Sequence, residues 1–157
     1  MKLYNLLRPE LIRINCQMSN TEDLLREMVL HLKSKNVISN ENLILKKLIE
    51  REKLGSTSIG HHSAVPHTKV KELKNPIICI CISKTGIIYH ESDKEPVHLI
   101  ILILSPNDSP IIHLQILAAA ASLIKKSDHL IKEILSLETP EELINIIKKY
   151  EASNDEK

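Results

Sequence analysis

Apolar residues recur at three- and four-residue spacing in two stretches of the first third of the chain. Leu24, Leu25, Met28, Val29 and Leu32 follow Asn20 and Thr21, either of which can cap a helix. Leu43, Ile44, Leu48 and Ile49 follow Ser39 and Asn40 in the same way. Both patterns predict amphipathic helices, the second with Lys46, Lys47 and Glu50 on its outer face and Arg51 near its end. The pattern then changes. Residues 77–83 and 97–104 are runs dominated by Ile, Leu, Val and Cys, which suits strands covered on both faces. Residues 86–89 predict a short further strand, followed by the polar turn ESDKEP.

SPNDSP at 105–110 is a break and a helix start signal. The helix after Pro110 should bury Ile116, Leu117, Ala120, Ala121 and Ile124, with small alanines allowing close packing. His113 falls in its first turn, where free amide donors and the positive dipole end favour a nearby anion. Two more helices are expected at 128–137 and 139–150, the latter with Thr139 as cap, Pro140 at the first helical position and Glu142 closing a capping box. Residues 151–157 read as a short, polar, frayed tail behind a domain of residues 1–150. At 157 residues with 43% hydrophobic content, the chain can fill one core and is too short for two ordinary domains. The elements predict a single α/β domain, a mixed central β-sheet flanked by helices on both faces.

Charge and composition narrow the function. With 21 basic against 20 acidic residues, the net charge of +1 gives no electrostatic attraction to nucleic acid or to an anionic membrane surface. Only 2% of residues are aromatic, so bases would find little to stack on. Arg8, Pro9, Glu10 and Arg13 break any signal-peptide h-region in residues 1–16. The apolar runs 97–104 and 111–124 are shorter than the roughly 20 residues a spanning helix needs. No membrane insertion is expected. Three cysteines, Cys16, Cys79 and Cys81, without CxxC spacing, suit reduced thiols in the cytoplasm, with Cys79 and Cys81 on one face of a strand.

The unusual residues gather in one stretch, REKLGSTSIGHHSAVPHTK at 51–69. It holds two of the three glycines, Gly55 and Gly60, and it is too poor in large apolar groups to fold by burial. The hydroxyls of Ser56, Thr57 and Ser58 and the backbone amides can donate to an anion. Pro66 fixes its own φ and pushes Val65 towards extended backbone, so His67 follows in a stiff frame. A neutral imidazole is a nucleophile near pH 7, and phosphoryl transfer asks mainly for positioning and positive charge. Arg51 can supply that charge as a planar fork. His61 and His62 could join His67 in a metal site, but adjacent histidines tend to point apart, and no metal is assigned.

RE-K-LGST, then G, then A-V-PH-T-K resembles the active-site segment of the type-2 EIIA domains of the bacterial phosphoenolpyruvate-dependent phosphotransferase system, the group with fructose, mannitol and nitrogen-regulatory members. The resemblance covers almost the whole chain. It implies His67 as phosphoacceptor, Arg51 as charge partner and His113, in SPIIHLQ, as a second site imidazole. Ser56, Thr57, Gly60 and His62 are the candidate phosphate contacts. Ser58, His62 and Thr68 stand where the family usually has glycine, which bears on the surface around His67. His62 could crowd that surface or add a donor to a bound phosphoryl group.

The implied activity is that of a cytoplasmic phosphocarrier without a cofactor, taking its phosphoryl group from an HPr-type histidine phosphocarrier. A free-standing chain with no transport segment and no second domain looks more like the nitrogen-regulatory members, whose recipient is a regulatory target. One alternative is a sugar-specific EIIA donating to a fructose- or mannitol-type EIIB. Another is a non-catalytic binding module that keeps the fold, motivated by the three replaced glycines.

Overall fold

The computed structural model describes residues 1–155. The chain enters through two 3-10 turns, Leu3–Leu6 and Pro9–Leu11, and a two-residue strand, β1 (Ile12–Arg13). Helices α1 (Thr21–Ser34) and α2 (Glu41–Leu54) follow, then three short strands, β2 (Ser58–Gly60), β3 (Ser63–Ala64) and β4 (His67–Val70). The long strands β5 (Ile77–Ile87) and β6 (Val97–Pro106) precede α3 (Pro110–Lys126), α4 (Leu130–Ile134) and α5 (Pro140–Asp155).

β5 and β6 pair antiparallel and form the middle of the sheet, with Ile80 opposite Ile101. β1 adds in parallel to the free edge of β5. β3 and β4 both lie parallel along the other edge of β6, and β2 pairs antiparallel with β3. The sheet is therefore mixed. Because successive side chains point to opposite faces, the two apolar runs feed two cores. Cys79, Cys81, Ile100, Leu102 and Leu104 pack with α1 and α2, and Ile78, Ile80, Ile82, Leu99, Ile101 and Ile103 pack with α3, α4 and α5. The single α/β domain with helices on both faces is what the apolar pattern predicts. All three cysteines are free and buried.

Side-chain caps open two of the helices. The Asn20 side chain accepts from the Asp23 amide at 2.9 Å and opens α1. Thr139 accepts from the Glu142 amide at 3.2 Å, while the Glu142 carboxylate accepts from Glu138 N at 3.3 Å, so the expected box closes one residue early.

Four expectations need correction. Leu43 is 43% exposed and Leu45 takes its place on the inner face of α2 beside Ile44 and Leu48. Residues 86–89 are not a separate strand: β5 runs unbroken to Ile87, with an irregular register between Ile82 and Ile87. Gly86 makes that bend possible, since its φ is +86° and a Cβ there would stand 2.7 Å from the Pro96 Cβ. The helix expected at 128–137 is regular only over Leu130–Ile134. Finally, α5 continues past Tyr150 to Asp155, and Glu151 is buried rather than frayed. Its carboxylate accepts from the Leu3 amide at 2.7 Å and the Tyr4 amide at 2.9 Å, tying the last helix to the first turn. Residues 156 and 157 of the expected tail lie outside the described residues.

Candidate functional site

His67 owes its place to the edge of β6. Ser63 lies opposite Leu99, Ala64 opposite Ile100 and His67 opposite Ile103, so β3 and β4 keep one register. Only Val65 and Pro66 separate them. Pro66 has no N–H to offer the ladder, but its carbonyl accepts from Ile103 N at 2.9 Å and keeps the line straight. His67 thus shares the face of Ile103, which is the face covered by α3.

The imidazole is held by its own chain. Nδ1 lies 2.8 Å from the Val65 carbonyl oxygen. A carbonyl only accepts, so Nδ1 carries the hydrogen and Nε2 is left with a free lone pair. Burial pushes the His67 pKa below the usual histidine range, and the Arg51 charge pushes the same way, while the Val65 carbonyl and Glu52 oppose them. The ring is therefore neutral at pH 7.

His113, in the first turn of α3, is buried. Its Nδ1 lies 2.7 Å from the Ser105 hydroxyl at the end of β6. The His67 and His113 ring centroids are 5.5 Å apart, with the planes inclined at 56°. Burial lowers the His113 pKa, and His67 and Lys69 add to the effect. Two neutral imidazoles thus stand side by side.

Arg51, Ser56, Thr57 and His67 line one cleft of about 230 Å³, walled by Ile59, Val65, Leu117 and Ala121. Arg51 sits in the last turn of α2, where its Nη1 donates to the Gly55 carbonyl at 2.9 Å. The Ser56 hydroxyl accepts from Ser58 N at 3.1 Å, leaving its own hydrogen to donate. Thr57 is differently employed. Its amide donates to the Glu52 carboxylate at 3.1 Å and its hydroxyl donates to the same carboxylate, so neither faces the cleft as a donor.

Gly60 and His62 lie elsewhere. With Ser58, His61, Asp93, Lys94 and Glu95 they line a different cleft. His61 and His62 form the two-residue turn between β2 and β3, both at positive φ (54° and 57°), as a type I′ hairpin requires. The His62 ring turns to the β5–β6 connection, with Nδ1 2.9 Å from the Pro96 carbonyl and Nε2 3.3 Å from Glu95. It neither crowds His67 nor donates into its cleft. Among the three positions where the family usually has glycine, only His62 has positive φ; Ser58 and Thr68 sit in strands that any residue can join.

Glu52, Tyr89 and Ser105 also build the site, and the motif does not single them out. Tyr89 gives no local signal, because it acts on residues 32 and 37 positions away; Ser105 lies only eight positions before His113, across the turn that starts α3.

The chain thus combines a mixed sheet covered on both faces with a strand-held imidazole that shares one cleft with an arginine. The family model described as phosphoenolpyruvate-dependent sugar phosphotransferase system, EIIA 2, matches residues 5–150, and the chain belongs to that family. It is 27% identical over 158 residues to a nitrogen regulatory protein of Klebsiella oxytoca, covering 99% of this chain and 95% of that one. It is 29% identical over 151 residues to the fructose-specific EIIABC component of Bacillus subtilis, covering 96% of this chain and 24% of the relative. The chain thus spans about a quarter of the length of that relative.

The crystal structure of nitrogen regulatory protein IIA-Ntr from Neisseria meningitidis superposes with a TM-score of 0.80 at 24% identity, over 92% of this chain and 98% of that one. The mannitol enzyme IIA of Escherichia coli, solved in complex with phosphorylated enzyme IIB, gives 0.75 at 20% identity, over 91% and 97%. Both share the fold. Among the described residues no helix is long and apolar enough to cross a membrane.

Proposed function

We propose that His67 carries a phosphoryl group on Nε2, received from an HPr-type histidine phosphocarrier. The observation that carries this is the Nδ1–H bond to the Val65 carbonyl, which leaves Nε2 as the nucleophile beside Arg51 and Ser56. In the transfer the Nε2 lone pair forms the new P–N bond while the electron pair of the donor's P–N bond returns to the donor ring. His67 keeps its Nδ1 hydrogen, and the positive charge that the phosphorylated ring gains is spread towards the Val65 carbonyl. Arg51 and Ser56 meet the equatorial oxygens, where charge is spread in a loose transition state. With the Ser105 hydroxyl as the donor to Nδ1, His113 keeps its hydrogen on Nε2, free to meet the same group. Ile111 at 70% exposure, Leu114 at 64% and Leu54 at 86% give a partner protein apolar surface on the elements that carry His113 and Arg51.

The recipient follows one of two courses. Similarity to a nitrogen regulatory protein supports signalling by phosphorylation state to a regulatory target, which we favour. Similarity to a fructose-specific EIIABC component supports onward transfer to an EIIB partner. Intact mass after incubation with phosphoenolpyruvate, enzyme I and HPr tests the acceptor: one acid-labile phosphoryl group on the parent and none on His67→Ala. Full labelling of His67→Ala would sink the assignment. Adding candidate EIIB proteins to the labelled form then separates the two courses, since rapid loss of label to one of them selects transport.

A further inference from the structure

Behind the loop that joins α2 to β2 lies a buried polar cluster for which the transfer chemistry has no direct use. The Tyr89 hydroxyl donates to Glu52 Oε1 at 2.7 Å. The Thr57 hydroxyl converges on the same oxygen, 3.0 Å from the Tyr89 hydroxyl, and the Thr57 amide donates to Glu52 Oε2 at 3.1 Å. Tyr89 is itself fixed, with 5% of its surface exposed and its carbonyl accepting from the Thr21 hydroxyl at the start of α1. Three donors therefore close on one carboxylate, and the loop 55–57 is pinned at its far end.

The near end of that loop bears on the site. Gly55 offers the carbonyl that accepts from Arg51 Nη1, and Ser56 lies between this carbonyl and the pinned Thr57. Glu52 and Arg51 are neighbours in the last turn of α2, one gripping the loop and the other resting on it. We propose that Glu52 and Tyr89 are positioning residues for phosphoryl transfer, holding the 55–57 loop so that the Gly55 carbonyl aims the Arg51 guanidinium into the His67 cleft. This rests on the role given to His67 above. Burial, with the neighbouring Glu52 charge, raises the Tyr89 pKa, so the phenol stays a donor at all working pH values. Charge-assisted bonds of this kind are about twice as strong as neutral ones, which suits a clamp.

The test compares label uptake from phosphorylated HPr by the parent, Tyr89→Phe, Arg51→Ala and the double variant, with thermal melts alongside. Tyr89→Phe keeps the ring and its packing and removes one donor. It should slow uptake by about tenfold in the parent, since small misplacements of a positioning group are costly. In the Arg51→Ala background it should change the rate by less than about twofold, because it acts through Arg51. Equal slowing in both backgrounds, or none in the parent, overturns the proposal. Glu52→Gln, whose amide nitrogen cannot accept from Thr57, is the second variant if Tyr89→Phe melts early, and it must show the same loss of effect without Arg51.

NMR of the Arg51 guanidinium N–H signals gives a readout that needs no phosphoryl donor. Faster solvent exchange of these signals in Tyr89→Phe supports the clamp, and unchanged signals overturn it. If the parent takes no label, the role of His67 fails and the Arg51 signals alone decide the clamp in the same way.

Discussion

Replacing Arg51 by alanine should separate chemistry from folding. The guanidinium has five N–H donors, and Nη1 spends one of them on the Gly55 carbonyl. Arg51 and His67 line the same cleft. Losing a preorganised donor of this kind costs about 10²–10³ in rate, or roughly 3–4 kcal/mol of transition-state stabilisation. Arg51→Lys keeps the charge but not the fork and should fall between variant and parent. Folding should change little, since the side chain is half exposed and fills no core space. The assay is rapid-quench label transfer from phosphorylated HPr, with urea unfolding beside it. NMR titration of His67 reads the same contact: the Arg51 charge lowers the His67 pKa, so Arg51→Ala should raise it. A variant that transfers within about twofold of the parent, against the 10²-fold or greater loss reckoned for a lost donor, would refute the assigned role.

Glu151→Ala leaves the Leu3 and Tyr4 amides without their acceptor and should cost about 2–4 kcal/mol, or roughly 5–15 °C in Tm. Calorimetry checks this, and a loss under about 0.5 kcal/mol, where ordinary surface substitutions fall, would contradict it. His61→Gly relieves a positive-φ residue and should raise stability by about 0.5–1 kcal/mol after glycine's extra unfolded-state entropy is counted. His62→Gly should gain less, because it also loses the bond to the Pro96 carbonyl; a urea midpoint of His61→Gly no higher than the parent's would show the turn carries no strain. His67 and His113 bind protons more weakly in the folded protein than in the unfolded chain. Their contribution is complete above the unfolded histidine pKa of about 6.5 and is lost as pH falls through the lower folded values. Urea midpoints should therefore drop from pH 7.5 to 5.5, and less steeply in His67→Gln; parallel slopes would contradict this.

Where an element is long and its neighbours are close in the chain, its pattern shows in the sequence. The apolar periods of α1 and α3 and the runs of β5 and β6 give their elements directly, and the AVPH segment marks His67. β3 and β4 are different. Each is too short to show alternation, and they exist because β6 offers an unpaired edge at one constant register. Leu43 was misplaced because three adjacent apolar residues, Leu43, Ile44 and Leu45, leave the helix phase ambiguous. Glu151 looks like an exposed acid until the Leu3 and Tyr4 amides arrive from the other end of the chain. His62 and Thr57 were drawn to the cleft by nearness in sequence, whereas a tight turn carries one away and Glu52 occupies the other.

On the role proposed for His67, the straight seam of β3 and β4 along β6 bears on how a partner would tell the loaded form from the free one. A histidine on a flexible loop can report its state by moving, and a partner can then sense the shift in shape. His67 is seated in a register shared with the sheet, with its ring fastened to Val65, so loading it adds charge and bulk to a surface that otherwise stays still. The transferred unit adds about one net negative charge, with the phosphoryl oxygens doubly negative and the Nδ1-protonated ring positive. Any protein that distinguishes the two forms must then read that charge by direct contact at the mouth of the cleft, and the two states should differ in binding strength and salt dependence far more than in backbone structure.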